Sequence, residues 1–206
     1  MKERGRRWGF EGPPQDAYER VTEPERFAPL HEYALDLLAR LEREYEVDRL
    51  EGYGIDPELE GDRAARPTVS LRPAGGGAPI VVAFTTFPGL MVRAGHWYTL
   101  GFPGCGCDAC DETAETEAQG LEQLVGTLVS GHFRESMRNV RGGDAWQEQE
   151  TRAPSDRAPM QGARDLPPGS RVSPEIAQAR VAAAGGNEFD WKPWRRRGES
   201  ATGGTE

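Results

Sequence analysis

Apolar residues recur at spacings of three and four in two stretches of the chain, and alternate with polar ones between them. The first stretch reads Leu30, Tyr33, Ala34, Leu37, Leu38, Leu41, Tyr45, which puts one apolar stripe on one face of a helix. Glu32, Asp36, Arg40, Arg43 and Glu44 fall off that stripe. Pro29 suits the first turn of a helix that begins near Ala28, with residues 22–27 as a short turn before it. The second stretch reads Leu121, Leu124, Val125, Leu128, Val129, His132, Phe133, Met137. It predicts a second helix, capped by Asp111 or Thr113 and carrying Glu112, Glu115 and Glu117 at its positive end. Gly120, Gly126 and Gly131 each weaken such a helix by about 1 kcal/mol relative to Ala, so packing must hold it.

Between the helices the period drops to two. Pro67–Arg72 alternates, with Val69 and Leu71 on one side, and Gly75–Gly77 supplies a hairpin turn. Ile80–Phe87 is β-branched and aromatic and apolar on both faces, as a central strand should be. Leu90–Arg93 and His96–Phe102 follow, separated by turns at Pro88-Gly89 and Gly95. Connections this short force antiparallel neighbours. The pattern therefore predicts an α+β fold in two layers: helix, four-stranded antiparallel meander, helix. Residues 48–66 read as a polar loop. Residues 1–20, with Gly5, Gly9, Gly12 and Pro13-Pro14, read as an irregular arm before a single domain over 21–140.

From residue 139 onward the composition changes. These 68 residues hold 10 large apolar side chains and 15 Gly or Pro, too few apolar groups to offset the entropy of ordering. A largely disordered, low-complexity tail over 141–206 is expected, with two exceptions. Ser173-Pro174-Glu175 is a cap and first-turn proline for a short helix over 174–184, stopped by Gly185-Gly186. Phe189-Asp-Trp-Lys-Pro-Trp-Arg-Arg-Arg197 is an aromatic and basic segment suited to docking, on this domain or on a partner.

The net charge of −9 is confined to residues 1–138, which carry 15 Lys and Arg against 24 Asp and Glu. Such a surface disfavours duplex nucleic acid, which calls for a basic stripe. No run of 18 apolar residues predicts a membrane span, and the basic N-terminus lacks the apolar stretch of a signal peptide, so a cytoplasmic location is expected. A partner, if any, is a protein or a small molecule.

Every cysteine lies in one loop between the last strand and the second helix: Cys105, Cys107 and Cys110. Cys-x-Cys-x-x-Cys on glycine-flanked turns can aim three thiolates at one centre, and Zn²⁺ asks for four ligands. The fourth is open among His31, on the first turn of helix one, and the local carboxylates Asp108, Asp111 and Glu112. His132, far along the second helix, and His96, at the start of a strand, are out of reach. The same loop fits a thiol-redox pair or a plain structural turn. Against redox chemistry stand six acids and no base between 105 and 122, a field that raises thiol pKa. Ser130, His132 and Ser136 lack an orienting acid, so they read as packing and surface groups. No zincin, nucleophile-elbow, phosphate-loop or dinucleotide motif is present.

Three segments together, Val21-Thr-Glu-Pro-Glu-Arg-Phe27 with Leu30-His31, Pro67–Arg72, and Pro103–Glu112, resemble a family of actinobacterial proteins known only as a domain of unknown function. The resemblance spans about residues 15–138, with the terminal Trp segment as an extension. It implies one cytoplasmic domain and supplies no catalytic residues. The expected function is a non-enzymatic binding or adaptor domain with a zinc-braced loop. The alternatives are a small thiol-redox or metal-dependent hydrolytic enzyme, and a structural domain without an ion.

Overall fold

The computed structural model describes residues 8–9, 11–139, 145–151 and 170–199. Its first layer is two helices, α1 (Pro29–Glu44) and α3 (Ala114–Val129), with a short α2 (Pro57–Glu60) elsewhere on the sheet. Its second is an antiparallel sheet of five strands in sequence order: β1 (Val47–Gly52), β2 (Thr68–Pro73), β3 (Ile80–Phe84), β4 (Leu90–Ala94) and β5 (Tyr98–Phe102). The expected α+β class and two-layer packing hold, and the sheet has one strand more than the sequence pattern suggests. Strand β1 lies where a loop was expected. It is an edge strand, polar along most of its length with Leu50 exposed, so no alternation betrays it.

The core forms where the two helical stripes meet one face of the sheet. Leu30, Ala34, Leu37, Leu38 and Leu41 of α1 and Leu121, Leu124, Val125 and Leu128 of α3 are buried there. They pack with Val69, Leu71, Ile80, Val82, Phe84, Leu90, Val92, Tyr98 and Phe102. At the rim of the helix pair, Tyr33 Oη and Arg40 both donate to Glu122, at 2.7 and 2.5 Å.

Helix α3 ends eight residues before the expected stop. Ser130 closes it, Gly131 turns the chain at φ +71°, and β6 (Phe133–Asn139) follows. Residues four apart lie on the same side of both a helix and a strand. The spacing of Phe133 and Met137 therefore fits either period, and the turn at Gly131 decides for the strand.

A second, four-stranded antiparallel sheet crosses the boundary expected near residue 140. It runs in the order β8 (Ser170–Val172), β7 (Ala145–Thr151), β6, β9 (Glu188–Asp190). The helix expected near 174–184 is present as α4 (Pro174–Ala184), with Ser173 Oγ accepting from the Ile176 N–H. The described part of the expected tail is thus packed structure. The rest of that stretch, 140–144, 152–169 and 200–206, lies outside the described residues. The expected irregular arm holds a 3-10 turn at Gln15–Tyr18 that buries Ala17. Residues 1–7 and 10 are not among those described. No described helix is long and apolar enough to cross a membrane.

Two contacts join the C-terminal region to the first sheet. Glu135 on β6 is buried, and its carboxylate accepts from the N–H groups of His96 and Trp97 at 2.6 and 3.0 Å and from Trp191 Nε1 at 3.1 Å. The segment after β9 then crosses the β2–β3 turn, where Trp194 Nε1 donates to Ala78 O at 3.0 Å and the indole meets Tyr45 edge-on. The aromatic and basic segment therefore docks on its own domain. Both ends of this path are close approaches: a Cβ on Gly77 would stand 2.6 Å from Trp194, and one on Gly131 2.4 Å from Pro193 N.

Trp194 is 4% exposed and belongs to the main core. Trp194→Ala is expected to lower the unfolding free energy by about 3–5 kcal/mol in urea titrations, whereas a loose tail would leave it unchanged. Burial of Glu135 pushes its pKa up to about 7, against N–H donors that favour the charged form. A carboxyl whose pKa is higher folded than unfolded contributes stability below its unfolded pKa and loses it as pH rises through the folded one. Stability should therefore fall between about pH 4.5 and 7 by this group's share, and Glu135→Gln should flatten that part of the pH profile.

Candidate metal centre

The cysteine loop is strung between two fixed points. Phe102 at the end of β5 and Ala114 at the start of α3 are both part of the core. Thr113 makes a reciprocal cap: its Oγ1 accepts from Thr116 N at 3.3 Å, and Thr116 Oγ1 accepts from Thr113 N at 3.1 Å. Of the two caps the sequence allows, Thr113 is the one used. Within the loop, Gly106 has φ +78°, and a Cβ there would stand 2.9 Å from Phe87 Cζ. Only glycine fits both conditions.

All three sulfurs lie within 4.8 Å of one another. Cys107 Sγ is 3.3 Å from Cys110 Sγ, and all three thiols are free. Zn–S bonds of about 2.3 Å in a tetrahedron put sulfurs about 3.8 Å apart, so this spacing is within metal-binding distance. Cys107 is buried; Cys105 and Cys110 are exposed.

The electrostatics divide the three thiols. Cys107 is pulled below the usual thiol pKa, first by the Cys105 and Cys110 side chains, with the N–H groups of Cys110 and Ala109 adding to the effect against desolvation. Cys110 is pushed up to about 12, first by its contact with Cys107, then by burial and by Cys105. Once one thiolate forms, its neighbours hold their protons against it. A cation would remove that mutual opposition. Asp111, just after Cys110, is exposed and adopts the left-handed region at φ +51°.

Among the described residues no His, Asp or Glu joins the three sulfurs as a fourth close ligand. His31 is buried under the sheet, with Nε2–H donating to Gly89 O at 2.9 Å and its ring edge-on to Phe84. Asp108 is 2% exposed, and its Oδ1 accepts from Thr22 N and Oγ1 at 2.8 and 2.9 Å, with Arg20 3.6 Å from Oδ2. Glu112 accepts from the N–H groups of Cys105 and Gly106 at 3.3 and 3.1 Å. Those two amides are thereby satisfied by the loop's own carboxylate. His96 packs among Trp97, Phe189 and Trp191. His132 lies past the end of α3, with Nδ1 2.8 Å from Ser130 Oγ, so it is not the core histidine of a longer helix.

One part of the site has no local signal in the sequence. The segment at 20–26 straps over the cysteine loop: Asp108 N donates to Arg20 O, and Arg26 Nη2 donates to Gly106 O at 2.9 Å. The loop's acids are therefore not without a base, since Arg20 and Arg26 reach it from some 80 residues away. Two of the three segments that carry the family resemblance are the two sides of this single contact.

A model of a family of unknown function (DUF6226) matches residues 3–198. The chain belongs to that family. The match extends beyond the expected 15–138 and takes in β6 to β9 and the docked Trp segment, which agrees with their packing on the first sheet. It does not carry the actinobacterial origin suggested by the resemblance. No curated protein and no solved structure is a significant match to the chain.

The buried Asp108 carboxylate ties the family's N-terminal segment to the cysteine loop. Asp108→Ala should lower the stability of metal-free protein by about 1–3 kcal/mol in denaturant titrations, because it leaves Thr22's donors unpaired. A side chain that served only as a metal ligand would leave the metal-free protein unchanged.

Proposed function

We propose that this chain is a non-enzymatic binding domain whose cysteine loop holds a structural Zn²⁺ through Cys105, Cys107 and Cys110. The observation that carries the reading is the Cys107 thiol: buried, beside two further sulfurs, and receiving the Ala109 and Cys110 N–H groups. Amides aimed at sulfur favour a thiolate, and thiolate is the ligand form. Free thiols fit a reducing compartment, which supports a cytoplasmic location.

The enzymatic alternatives draw less support. A redox nucleophile must be both ionised and accessible. Here the thiol that favours ionisation is the buried one, and the exposed Cys110 is raised to about 12. For hydrolysis, three thiolates give the ion much of their charge and weaken it as a Lewis acid. Two of the loop's carboxylates, Asp108 and Glu112, are engaged with backbone N–H groups.

Protein purified without chelator should contain about one zinc per chain by elemental analysis. Chelation should lower the melting temperature, and Cys107→Ser should abolish both the zinc and the chelator effect. Zinc-free protein that still melts cooperatively at the same temperature would sink the reading. Rapid alkylation of native thiols at neutral pH would favour the redox alternative.

A further inference from the structure

Strand β1 closes one side of the five-stranded sheet, with β2 as its strand neighbour. Just before β1 the C-terminal segment covers the chain: Glu46 N donates to Arg195 O, and Arg197 N donates to Glu44 O. From Val47 onward that cover stops. Among the described residues no backbone group pairs with the outer side of β1. Two large apolar side chains stand in the open there, Leu50 at 51% and Tyr53 at 66% exposure. Edge strands are usually blunted by charge, and β1 carries Asp48, Arg49 and Glu51. The order of those charges sets this edge apart, because it is complementary to itself.

We infer that two copies of the chain pair edge to edge through β1, antiparallel and centred on Leu50, so that their five-stranded sheets become one. Around that centre Leu50 meets Leu50 of the other copy, and Arg49 meets Glu51 on both sides of the axis. Asp48 meets Gly52, which has no side chain to crowd it, and Val47 comes level with the exposed Tyr53. Unlike charges and apolar groups set opposite each other are the pairs that stabilise antiparallel strands. Moving the centre by one residue loses this. Centred on Arg49 or on Glu51, like charges face each other across the axis. Val47 packs against the main core, so Val47, Arg49 and Glu51 lie on the helix side of the sheet and Leu50 on the other. A twofold axis perpendicular to the sheet preserves those sides, which is the isologous contact of a closed dimer. Arg49, 2.7 Å from its own Glu51 and 3.6 Å from Glu42, then links acids of both copies. Six residues of strand make a small interface, so the dimer forms and separates with concentration. The pairing is independent of the zinc reading above.

The test is sedimentation velocity of the full chain from about 1 to 500 µM. A reductant keeps the exposed Cys105 and Cys110 from cross-linking copies. The chain should pass from monomer toward dimer as concentration rises. Arg49→Glu and Glu51→Arg should each weaken dimerisation about tenfold or more, because each sets like charges across the axis. Mixed in equal amounts the two variants should dimerise again, since the altered strands then oppose unlike charges at both positions. A change confined to the pairing of Arg49 and Glu51 within one chain cannot produce that recovery. Leu50→Lys, at an exposed position, should dissociate the dimer and leave the melting of the monomer unchanged. A chain that stays monomeric over the whole range overturns the inference. So does a dimer that survives these substitutions, or a mixture of the two charge variants that stays monomeric.

Discussion

The apolar layer between one face of the five-stranded sheet and helices α1 and α3 fixes the position of everything else. Phe84, Leu90, Val92 and Phe102 meet Leu38, Leu121, Leu124 and Leu128 there, all nearly excluded from water. Burial of each such side chain is worth about 1.5–3 kcal/mol, so the layer sets where β5 ends and where α3 starts. The cysteine loop spans that gap. Because Phe102 and Ala114 anchor its two ends in the core, the conformational freedom lost in gathering three sulfurs is largely lost already when the domain folds. A metal that binds such a loop spends less of its binding energy on ordering the chain.

The second sheet has little apolar core of its own: Trp97, Met137 and Ala177, with a few half-buried neighbours. Polar contacts carry more of its attachment. Gln147 on β7 donates to Trp97 O at 3.1 Å, and the Glu135 carboxylate gathers the amides of the β4–β5 turn. Buried polar groups of this kind are costly when half satisfied and specific when fully satisfied. They fix one orientation of the second sheet on the first, and the Trp194 segment then locks it by running back to the ends of β2 and α1. Arg195 O accepts from Glu46 N, and Arg197 N donates to Glu44 O.

The two helices, strands β2 to β5, the short α4 and the cluster of cysteines were legible in the sequence because each shows in local periodicity or spacing. What was not legible depends on distant partners. Edge strand β1 is polar and takes its strand character from pairing with β2 alone. Strand β7, as Ala-Trp-Gln-Glu-Gln-Glu-Thr, has no apolar alternation and is a strand because β6 pairs with it over its whole length. In the C-terminal 68 residues, poor in apolar groups on average, the Phe189–Arg197 segment stood out as able to dock, but that Trp194 docks on its own core is decided by distant Tyr45 and Ala78. At the site, the three sulfurs were legible and the roles of the candidate fourth ligands were not. Whether Asp108 faces an ion or Thr22 is decided by a contact across 86 residues.

That contact also revises the electrostatics of the loop. Counted along the chain, residues 105–122 form an unrelieved acidic field that should hold every thiol protonated. In three dimensions the field is partly neutralised. Asp108 is drawn out of it by Thr22 and Arg20, Glu112 is drawn onto two backbone amides, and Arg26 sits on the loop through Gly106 O. The Ala109 and Cys110 amides remain aimed at Cys107. Thiolate at that position is favoured first by the Cys105 and Cys110 side chains and then by these amides, against desolvation. The acids that counted against reactive thiols thus include two different things: a buried tether for the loop in Asp108, and in Glu112 a carboxylate held on two of the loop's own amides.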